Sequence, residues 1–367
     1  MSGSIFGKNI KISTWGESHG EALGVVVDGF PAGMELSAED IQKYLDRRKP
    51  GRSEVTTQRK EDDAVEILSG VFEGRTTGTP ISMLVRNTSQ RSGDYSNIMN
   101  IYRPGHADFG FDEKYGFRDY RGGGRSSGRE TIGRVAAGAL CSKLLSAMGI
   151  SVNAFTRSIG DISIPDGDID PLAALLTVTA MPDQETDKRA VEFINNCREE
   201  KDSVGGVIEC RIKGVPAGIG EPVFDKLDAL LSQAVMSIGA VKAVEIGDGC
   251  AVSHMRGSGN NDAFENVNGQ VVKRTNHSGG VLGGMSDGSE IILRAHVKPT
   301  PSIFRSQDTV NRDGENVTIN IHGRHDPVVV PRAVVVVESM CAITLLDLMI
   351  SNMSSRAEYI KAFYTKK

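Results

Sequence analysis

The chain has 367 residues, of which 42 are Lys or Arg and 47 are Asp or Glu, for a formal net charge of -5. Such a length gives one large domain or about two smaller ones, and a charged fraction of 24% without long like-charge runs excludes wholesale disorder. The acidic balance disfavours a general nucleic-acid binder.

Cysteine usage and the distribution of apolar residues both favour a cytoplasmic location. The five cysteines are an odd number without a C-x-x-C pair, which is typical of reduced thiols in a cytosolic protein. The segment MSGSIFGKNIKIS lacks the apolar core of a signal peptide. Since the sequence has no run of about 18 apolar residues, we expect no membrane association.

The first part of the chain alternates short strands with helices. Apolar patterning and turn residues predict strands over 11–14, 23–28, 65–72 and 81–85. Between them, Ser37 is a suitable N-cap for a helix that ends near Lys49, and Asp40 lies close to the capping-box position. The polar region 88–124 is a candidate functional loop. Apolar residues at helical spacing then predict a buried helix over 130–149.

The second part repeats the order of strands, helix and strands. Residues 150–200 mix turns with an exposed helix and are predicted to be peripheral. Strands are predicted over 204–212, 291–297 and 316–321, a strand and turn over 241–249, helices over 224–238 and 333–352, and a long Asn- and Gly-rich loop over 256–289. This order predicts an α+β fold, with a two-lobed arrangement inside one domain of residues 1–367.

The stretch RDYRGGGRSSGRETIGR, residues 118–134, places arginines beside three consecutive glycines. Glycine lets the backbone approach a ligand closely, and Ser126 and Ser127 lie at a helix start, where free N–H groups favour an anion. Arg125 and Arg129 are four residues apart and would share one helical face if both were helical, and both suit carboxylate or phosphate. A loop in which these arginines pair with neighbouring acids is the alternative. The usual nucleotide-binding loops, G-x-x-x-x-G-K-[ST] and G-x-G-x-x-G, are absent from the sequence.

Histidines in two other loops are candidate acid–base groups. His19 lies in the turn GESHG between predicted strands, and His106 follows a Pro-Gly turn and precedes Asp108. An imidazole changes charge near neutral pH and can move protons. Structural, hydrogen-bonded histidines are the alternative. A metal site is disfavoured, because His106 with Asp108, and His322 with His325, lack a third ligand at a standard spacing.

Cations and one carboxylate complete the candidate chemistry. Arg48 lies among more cations than the end of its helix needs, and Lys298 lies in the proline-bounded segment KPTPS. Asp347 falls on an apolar stripe of the last helix, where a carboxylate is costly unless it is paired. Such groups often mark active sites, and a buried pair with an arginine is the alternative. Together these residues predict a site that binds a small polyanion and moves protons.

Six motifs, in this order, resemble the chorismate synthase family: GESHG, RPGHAD, RGGGRSS, NHSGG, KPTPS and GRHDP. The resemblance runs from residue 15 to residue 347 and is weakest over 150–200, where the family is variable. It implies a β-α-β sandwich, with helices packed between two antiparallel sheets, and a homotetramer. It also implies the 1,4-elimination of phosphate from 5-enolpyruvylshikimate 3-phosphate to give chorismate, with reduced FMN as cofactor and no net redox change.

The resemblance further implies roles for individual residues. His19 would protonate the departing phosphate, His106 would protonate the reduced flavin or hold it protonated, and Asp347 would assist deprotonation through the flavin. The positions implied to hold the substrate are Ser18, Arg48 and Arg129, and those implied to contact FMN are Arg125, Ser126, Ser127, Gly239, Ala240, Gly283, Lys298, Pro299, Thr300, Pro301, Ser302 and Arg324.

Two positions depart from the family pattern. Glu54 stands where members often have Arg or Lys, and Gly239 stands where many have Asn, so both bear on affinity before they bear on the reaction. Because no nicotinamide fingerprint is present, we expect an external flavin reductase or another electron source as partner. A non-catalytic flavin- or phosphate-binding module is the main alternative. A nucleic-acid binder is disfavoured by an aromatic content of 5%.

Overall fold

The computed structural model describes residues 3–49, 51, 62–87, 99–321 and 326–365. Its strands are β1 (Ile5–Phe6), β2 (Lys11–Gly16), β3 (Ala22–Asp28), β4 (Val65–Ile67), β5 (Val71–Phe72), β6 (Arg75–Thr76), β7 (Ile81–Arg86), β8 (Ser151–Ile159), β9 (Ile162–Ser163), β10 (Gly206–Lys213), β11 (Val241–Ile246), β12 (Phe264–Val267), β13 (Gln270–Lys273), β14 (Val281–Leu282), β15 (Met285–Ser286), β16 (Ile291–Val297), β17 (Gln307–Val310) and β18 (Asn316–Ile319). Its helices are α1 (Ala38–Arg48), α2 (Asp108–Tyr115), α3 (Thr131–Ala147), α4 (Gln184–Glu199), α5 (Leu227–Met236), α6 (Gly257–Asn260), α7 (Val330–Asn352) and α8 (Ala357–Thr365).

Strands from the two parts of the chain form separate antiparallel sheets. Within the described ranges, the first sheet has the order β1-β2-β3-β7-β4 and the second has the order β11-β16-β10-β8-β9. In the second sheet, β10 pairs with β16 from Gly206 opposite Val297 to Ile212 opposite Ile291. Burial alternates along β16, so one face of this sheet covers the core.

Helices α3 and α7 lie between the two sheets. Helix α3 packs on β2 and β3, α7 packs on β8 and β10, and the two helices pack on each other. Gly138 of α3 lies against Ser339 of α7, where a Cβ atom would overlap the serine side chain, so glycine permits the close crossing. The predicted α+β sandwich, with helices between antiparallel sheets, is confirmed.

Helix α7 is the most apolar element of this middle layer. Among the described residues it is the one helix long and apolar enough to cross a membrane, but most of it is buried inside the protein. Its apolar residues surround the whole helix, as expected where sheets and helices cover every side. Its composition is therefore that of a core helix.

Several predicted elements are confirmed with small shifts at their ends. Helix α1 begins after Ser37, whose backbone N–H donates to the Asp40 carboxylate at 3.1 Å, as the capping pattern predicts. Strand β16 has the predicted bounds, and α7 begins at Val330, slightly before the predicted start. Capping residues and apolar periodicity are local signals, so the sequence carries them directly.

The structure differs from the prediction in several places, one of which is helix α2 (Asp108–Tyr115), inside the region 88–124 that is predicted as a loop. Residues 65–72 form two strands, β4 and β5, separated by a turn. The range 150–200 begins with β8, a strand inside the second sheet, and the loop 256–289 contains the hairpins β12–β13 and β14–β15. Strand β8 was missed because it buries polar side chains: Thr156 is fully buried, and its hydroxyl donates to the Thr179 carbonyl oxygen at 2.7 Å.

Candidate active site

Four loops that carry sequence motifs contact one another. Residues 17–21 join β2 to β3, residues 103–107 precede α2, residues 122–130 precede α3, and residues 298–302 follow β16. Each loop adjoins a regular element, and β2, β3, α3 and β16 are anchored by buried core residues. Loops positioned in this way can hold side chains in a defined arrangement.

Gly122 brings the arginine-rich loop against His19. Gly122 has φ +88°, and a Cβ atom on it would lie 2.7 Å from Cε1 and 2.8 Å from Nδ1 of the His19 ring. Ser18 is buried, and its Oγ lies 3.1 Å from His19 Nδ1. Glycine is therefore required here both by the backbone conformation and by the space that the imidazole occupies.

A buried ion pair links this glycine to the second histidine loop. Arg103 donates Nε–H and Nη2–H to the two oxygens of Asp108, at 2.8 and 2.7 Å. The same Nη2 donates to the carbonyl oxygen of Gly122 at 3.1 Å. Burial acts to raise the pKa of Asp108, but the hydrogen bonds and charge of Arg103 outweigh it and hold the pKa below its usual value. The ion pair therefore fixes the two loops to each other.

His106 is held on both ring nitrogens. Nδ1 lies 3.0 Å from the carbonyl oxygen of Pro104, and Nε2 lies 3.1 Å from Oγ of Ser302. A carbonyl oxygen only accepts, so Nδ1 carries a hydrogen, and Nε2 is the nitrogen that can gain or lose one. The neighbouring Gly105 accepts from Lys298 Nζ at 2.9 Å and packs against Pro301. The motifs RPGHAD and KPTPS thus form one unit.

The Arg125 side chain forms hydrogen bonds to strand β2, which leads to the turn that carries His19. Its Nη1 donates to the Gly16 carbonyl oxygen at 3.0 Å, and its Nη2 donates to the carbonyl oxygen and Oγ1 of Thr14 at 3.1 and 2.7 Å. The Glu130 carboxylate lies farther away, at 3.8 Å. Since most of these acceptors are neutral, the positive charge of Arg125 is only partly offset.

The alternative of a salt-bridged loop holds for two other arginines of this stretch. Arg121 pairs with Asp119 through two hydrogen bonds of 2.9 Å. Arg134 donates to Glu130 at 2.8 Å, one helical turn away. The acids of the stretch therefore pair mainly with Arg121 and Arg134.

Arg48 and Arg129 come from different elements and meet on one carboxylate. Arg48 Nη2 donates to Oδ2 of Asp63 at 2.6 Å, and Arg129 Nη2 donates to Oδ1 at 3.3 Å. Arg48 is 1% exposed and Asp63 is 4% exposed. Burial lowers the pKa of the Arg48 guanidinium, although the charge of Asp63 acts to raise it. Arg48 Nη1 also approaches the Gly128 carbonyl oxygen at 3.3 Å.

Asn87 connects this arginine pair to the His19 turn. Its Oδ1 accepts from Arg129 Nε at 3.0 Å. Its Nδ2 donates to the carbonyl oxygens of Glu17 and Gly20, at 3.2 and 2.7 Å, on either side of His19. Sequence reasoning missed Asn87 and Asp63, since neither lies in one of the six motifs. Hydrogen bonds thus join the substrate candidate Arg129 to the turn that carries His19.

Asp347 has partners of a different kind from those expected. Its Oδ1 accepts from the backbone N–H groups of Asn9 and Ile10, at 2.6 and 2.9 Å, and its Oδ2 accepts from that of Lys8 at 3.0 Å. The alternative predicted an arginine partner, whereas these partners are main-chain amides. These hydrogen bonds join helix α7 to the turn before β2, so the Asp347 carboxylate contributes to the stability of the fold.

The remaining candidates for flavin binding include Ala240 and residues 298–300, whose backbones lie close to one another or to neighbouring loops. Ala240 has φ +73°, unusual for a residue with a side chain, and its carbonyl oxygen accepts from the Lys298 N–H at 2.9 Å. Gly205 approaches Pro299 so closely that a Cβ atom would crowd its backbone. Thr300 has a buried Oγ1 without a hydrogen-bond partner among the described residues.

The other candidates are serines and glycines in turns. Ser126 Oγ donates to the Gly123 carbonyl oxygen at 2.7 Å, and Ser127 Oγ accepts from the Arg129 N–H at 3.3 Å. Gly239 and Gly283 have open space where a Cβ would be, and Gly283 has φ +62°. Arg324, Glu54, His322 and His325 lie outside the described residues.

The chain was compared with known proteins in sequence and in fold. The family model described as chorismate synthase matches residues 10–350. Proteins named chorismate synthase from Lachnoclostridium phytofermentans and Agathobacter rectalis are 61% and 60% identical to this chain, each over all of both chains. One from Methanocella arvoryzae is 57% identical over 96% of this chain and 95% of its own.

A solved structure agrees with these matches. A crystal structure of chorismate synthase superimposes with a TM-score of 0.77 at 32% identity, covering 98% of this chain and 97% of that one. The likeness therefore extends over the whole sandwich and the loops described above. Since the family model spans most of the chain and relatives match it end to end, this chain belongs to the chorismate synthase family.

Proposed function

We propose that this protein is an enzyme that converts 5-enolpyruvylshikimate 3-phosphate to chorismate and phosphate, the last common step towards the aromatic amino acids. The contacts that join the two histidine loops, residues 17–21 and 103–107, support this proposal most strongly. The Gly122 carbonyl oxygen accepts from the Arg103 side chain at 3.1 Å, and Gly122 lies against the His19 ring. The backbone N–H of His106 donates to the Arg103 carbonyl oxygen at 3.2 Å. Two imidazoles among cationic side chains suit a reaction that moves protons on an anionic substrate.

The proposed reaction is balanced without an oxidant. In this 1,4-elimination one ring C–O bond and one ring C–H bond break, the ring double bond between them shifts, and one further C=C bond forms to give a conjugated diene. Phosphate leaves with the C–O electron pair, the ring hydrogen leaves as a proton, and the C–H electron pair enters the ring π system. The protein must therefore bind the anions, protonate the leaving group and assist removal of the ring proton.

We assign anion binding to Arg48, Arg129 and Ser18. The substrate carries two carboxylates and a phosphate, and guanidinium groups offset such charge through planar, charge-assisted hydrogen bonds. Both arginines share the Asp63 carboxylate, which holds the two guanidinium groups close to each other. Asn87 ties Arg129 to the turn that carries Ser18.

His19 is proposed as the acid that protonates the departing phosphate. Gly122 and Ser18 hold its ring in place. Placement matters because a proton donor must lie within hydrogen-bond reach of the oxygen that it protonates.

The residues around KPTPS fit reduced FMN. Thr300 offers a buried hydroxyl without a partner among the described residues, and Gly239 and Gly283 leave open space beside their backbones. Arg125 and Lys298 supply positive charge, largely against neutral acceptors, for the FMN phosphate. When bound, reduced FMN would supply electron density to the reacting ring while phosphate departs. We propose these residues, with Ser126, Ser127, Ala240, Pro299, Pro301, Ser302 and Arg324, as its binding site.

His106 and Asp347 complete the proposed proton chemistry. With Nδ1 held by a carbonyl oxygen and Nε2 beside the Ser302 hydroxyl, the His106 ring can hold or release a proton at Nε2. We assign it to keep the reduced cofactor protonated, and Asp347 to assist removal of the ring proton. The three main-chain donors at Asp347 make its structural contribution a necessary control in any test.

We also make proposals for the electron source, the oligomeric state and the cellular location of the enzyme. The sequence lacks a nicotinamide-binding fingerprint, so we propose that a separate flavin reductase or another electron source supplies reduced FMN. We also propose a homotetramer in the cytoplasm. Turnover with NAD(P)H alone in air would contradict the need for an external reductase.

An anaerobic assay tests the activity directly. The protein is mixed with chemically reduced FMN and 5-enolpyruvylshikimate 3-phosphate, chorismate is followed by ultraviolet absorbance, and phosphate is measured separately. We expect both products in equal amounts over many turnovers, and none with oxidised FMN. If flavin binds but neither product forms, the protein is a binding module and the proposal is wrong.

A further inference from the structure

We infer that Asp63 is a positioning residue of the substrate site: its carboxylate holds Arg48 and Arg129 in the arrangement that receives the substrate's anionic groups. This inference rests on the proposed function. It concerns a residue outside the six motifs, identified by its contacts alone.

The Asp63 carboxylate binds both arginines at once, and we call this arrangement of Asp63, Arg48 and Arg129 the clamp. One oxygen accepts from Arg48 Nη2 at 2.6 Å and the other accepts from Arg129 Nη2 at 3.3 Å. Two like charges brought together in a buried place repel each other, and a carboxylate between them offsets that repulsion. The side chain of Asp63 is 1% exposed, so water cannot replace the carboxylate in this position.

The backbone of Asp63 is fixed in an uncommon conformation. Its φ is +44°, in the left-handed region that residues with side chains seldom adopt. Gln42 of α1 holds it there: Nε2 donates to the Asp63 carbonyl oxygen at 3.2 Å, and Oε1 accepts from the Val65 N–H at 3.0 Å. A strained residue held by its surroundings is often part of a functional site.

Arg48 keeps an unused donor while it is bound to Asp63. Arg48 is 1% exposed, and its Nε–H lacks a hydrogen-bond partner among the described residues. A buried guanidinium N–H of this kind is costly unless something accepts from it. Asp63 accepts from Nη2 of each arginine, so a single carboxylate is shared between two guanidinium groups.

The test uses the full chain with reduced FMN and compares Asp63→Asn, Asp63→Glu and the control Glu338→Gln. Glu338 pairs with Arg47, the residue next to Arg48, through hydrogen bonds of 2.7 and 2.8 Å, and it is 3% exposed. The control therefore removes an equally buried carboxylate charge from the neighbouring arginine. For each variant, kcat, KM for 5-enolpyruvylshikimate 3-phosphate, the Kd of FMN and Tm are measured.

We expect Asp63→Asn to raise KM by about tenfold or more, with a smaller change in kcat and an unchanged Kd of FMN, because Arg48 and Arg129 lose the charge-assisted hydrogen bonds that hold them in place for the substrate. Glu338→Gln should lower Tm and leave KM unchanged. An unchanged or lower KM in Asp63→Asn, or an equal rise of KM in Glu338→Gln, would overturn the inference.

Two further measurements keep the outcomes separate. If Asp63→Asn does not fold, Asp63→Glu retains the charge but displaces the carboxylate by one methylene. We expect a raised KM for Asp63→Glu, and a wild-type KM would overturn the inference.

Calorimetric titration with 5-enolpyruvylshikimate 3-phosphate measures substrate binding without turnover. A wild-type protein that binds this compound but forms no chorismate contradicts the proposed function, whereas equal binding by wild type and the Asp63 variants contradicts the clamp.

Discussion

Replacing Gly122 by Ala perturbs the placement of His19 without removing any functional group. An added Cβ would lie 2.8 Å from His19 Nδ1, so the ring must retreat by about 0.6 Å or more to reach ordinary van der Waals contact. A misplacement of about 1 Å can cost on the order of 10²-fold in rate. We therefore expect kcat to fall by roughly 10-fold to 10²-fold. The strain of a side chain at φ +88° adds about 1–2 kcal/mol of lost stability.

The anaerobic chorismate assay and thermal melting test this expectation together. Gly33→Ala is the matched control, because Gly33 has φ +91° and open space where the Cβ would be. Both variants should lose a similar amount of Tm, about 2–4 °C for each kcal/mol, but only Gly122→Ala should lose turnover. Equal kcat in the two variants would refute the claim that Gly122 positions a working His19.

Further expectations concern proton transfer, cofactor binding and stability. His106→Ala should slow turnover by on the order of 10²-fold with FMN still bound; turnover within a few-fold of wild type would remove His106 from the mechanism. Arg125→Ala should raise the Kd of FMN, and Trp15, the sole tryptophan and the residue between Thr14 and Gly16, is a natural fluorescence probe for that titration; an unchanged Kd would contradict its role. Asp347→Asn should lower stability by about 1–3 kcal/mol, because three main-chain donors lose a charged acceptor, and should also slow turnover; a lower Tm with normal turnover would make Asp347 purely structural. The pKa of Asp108 lies below its usual value, so its stabilisation is present above the unfolded value of about 3.9 and is lost as the pH falls through the lower folded value; Asp108→Asn should flatten the dependence of Tm on pH in that acid range, and an unchanged profile would contradict the ion pair's contribution.

Local features of the fold were readable from the sequence. Ser37 and Asp40 mark the start of α1, and apolar periodicity marks the long core helices, because capping and amphipathic spacing act between near neighbours in the chain. Strand β8 was not readable, since Thr156 is buried with its hydroxyl paired to a carbonyl far away in the sequence. A polar residue signals exposure unless its tertiary partner is known.

The motifs also predicted most loops of the candidate site. His19, His106 and Arg125 were selected because glycine-rich turns and arginine forks suit anions and proton transfer, and their loops contact one another as such a site requires. The motifs did not reveal what Asp347 contacts. Its acceptor role toward the amides of residues 8–10 joins groups at opposite ends of the chain, which no local spacing can report.

The sequence by itself determined the family, the α+β class and the types of chemical group present, because these depend on motif order, apolar periodicity and residue chemistry. Tertiary structure alone decided which groups are paired. Asp63 stands between Arg48 and Arg129 only because α1, the segment before β4 and the turn before α3 converge there. Hydrogen bonds act over about 3 Å, so the partners of a buried charge are set by packing rather than by distance along the chain.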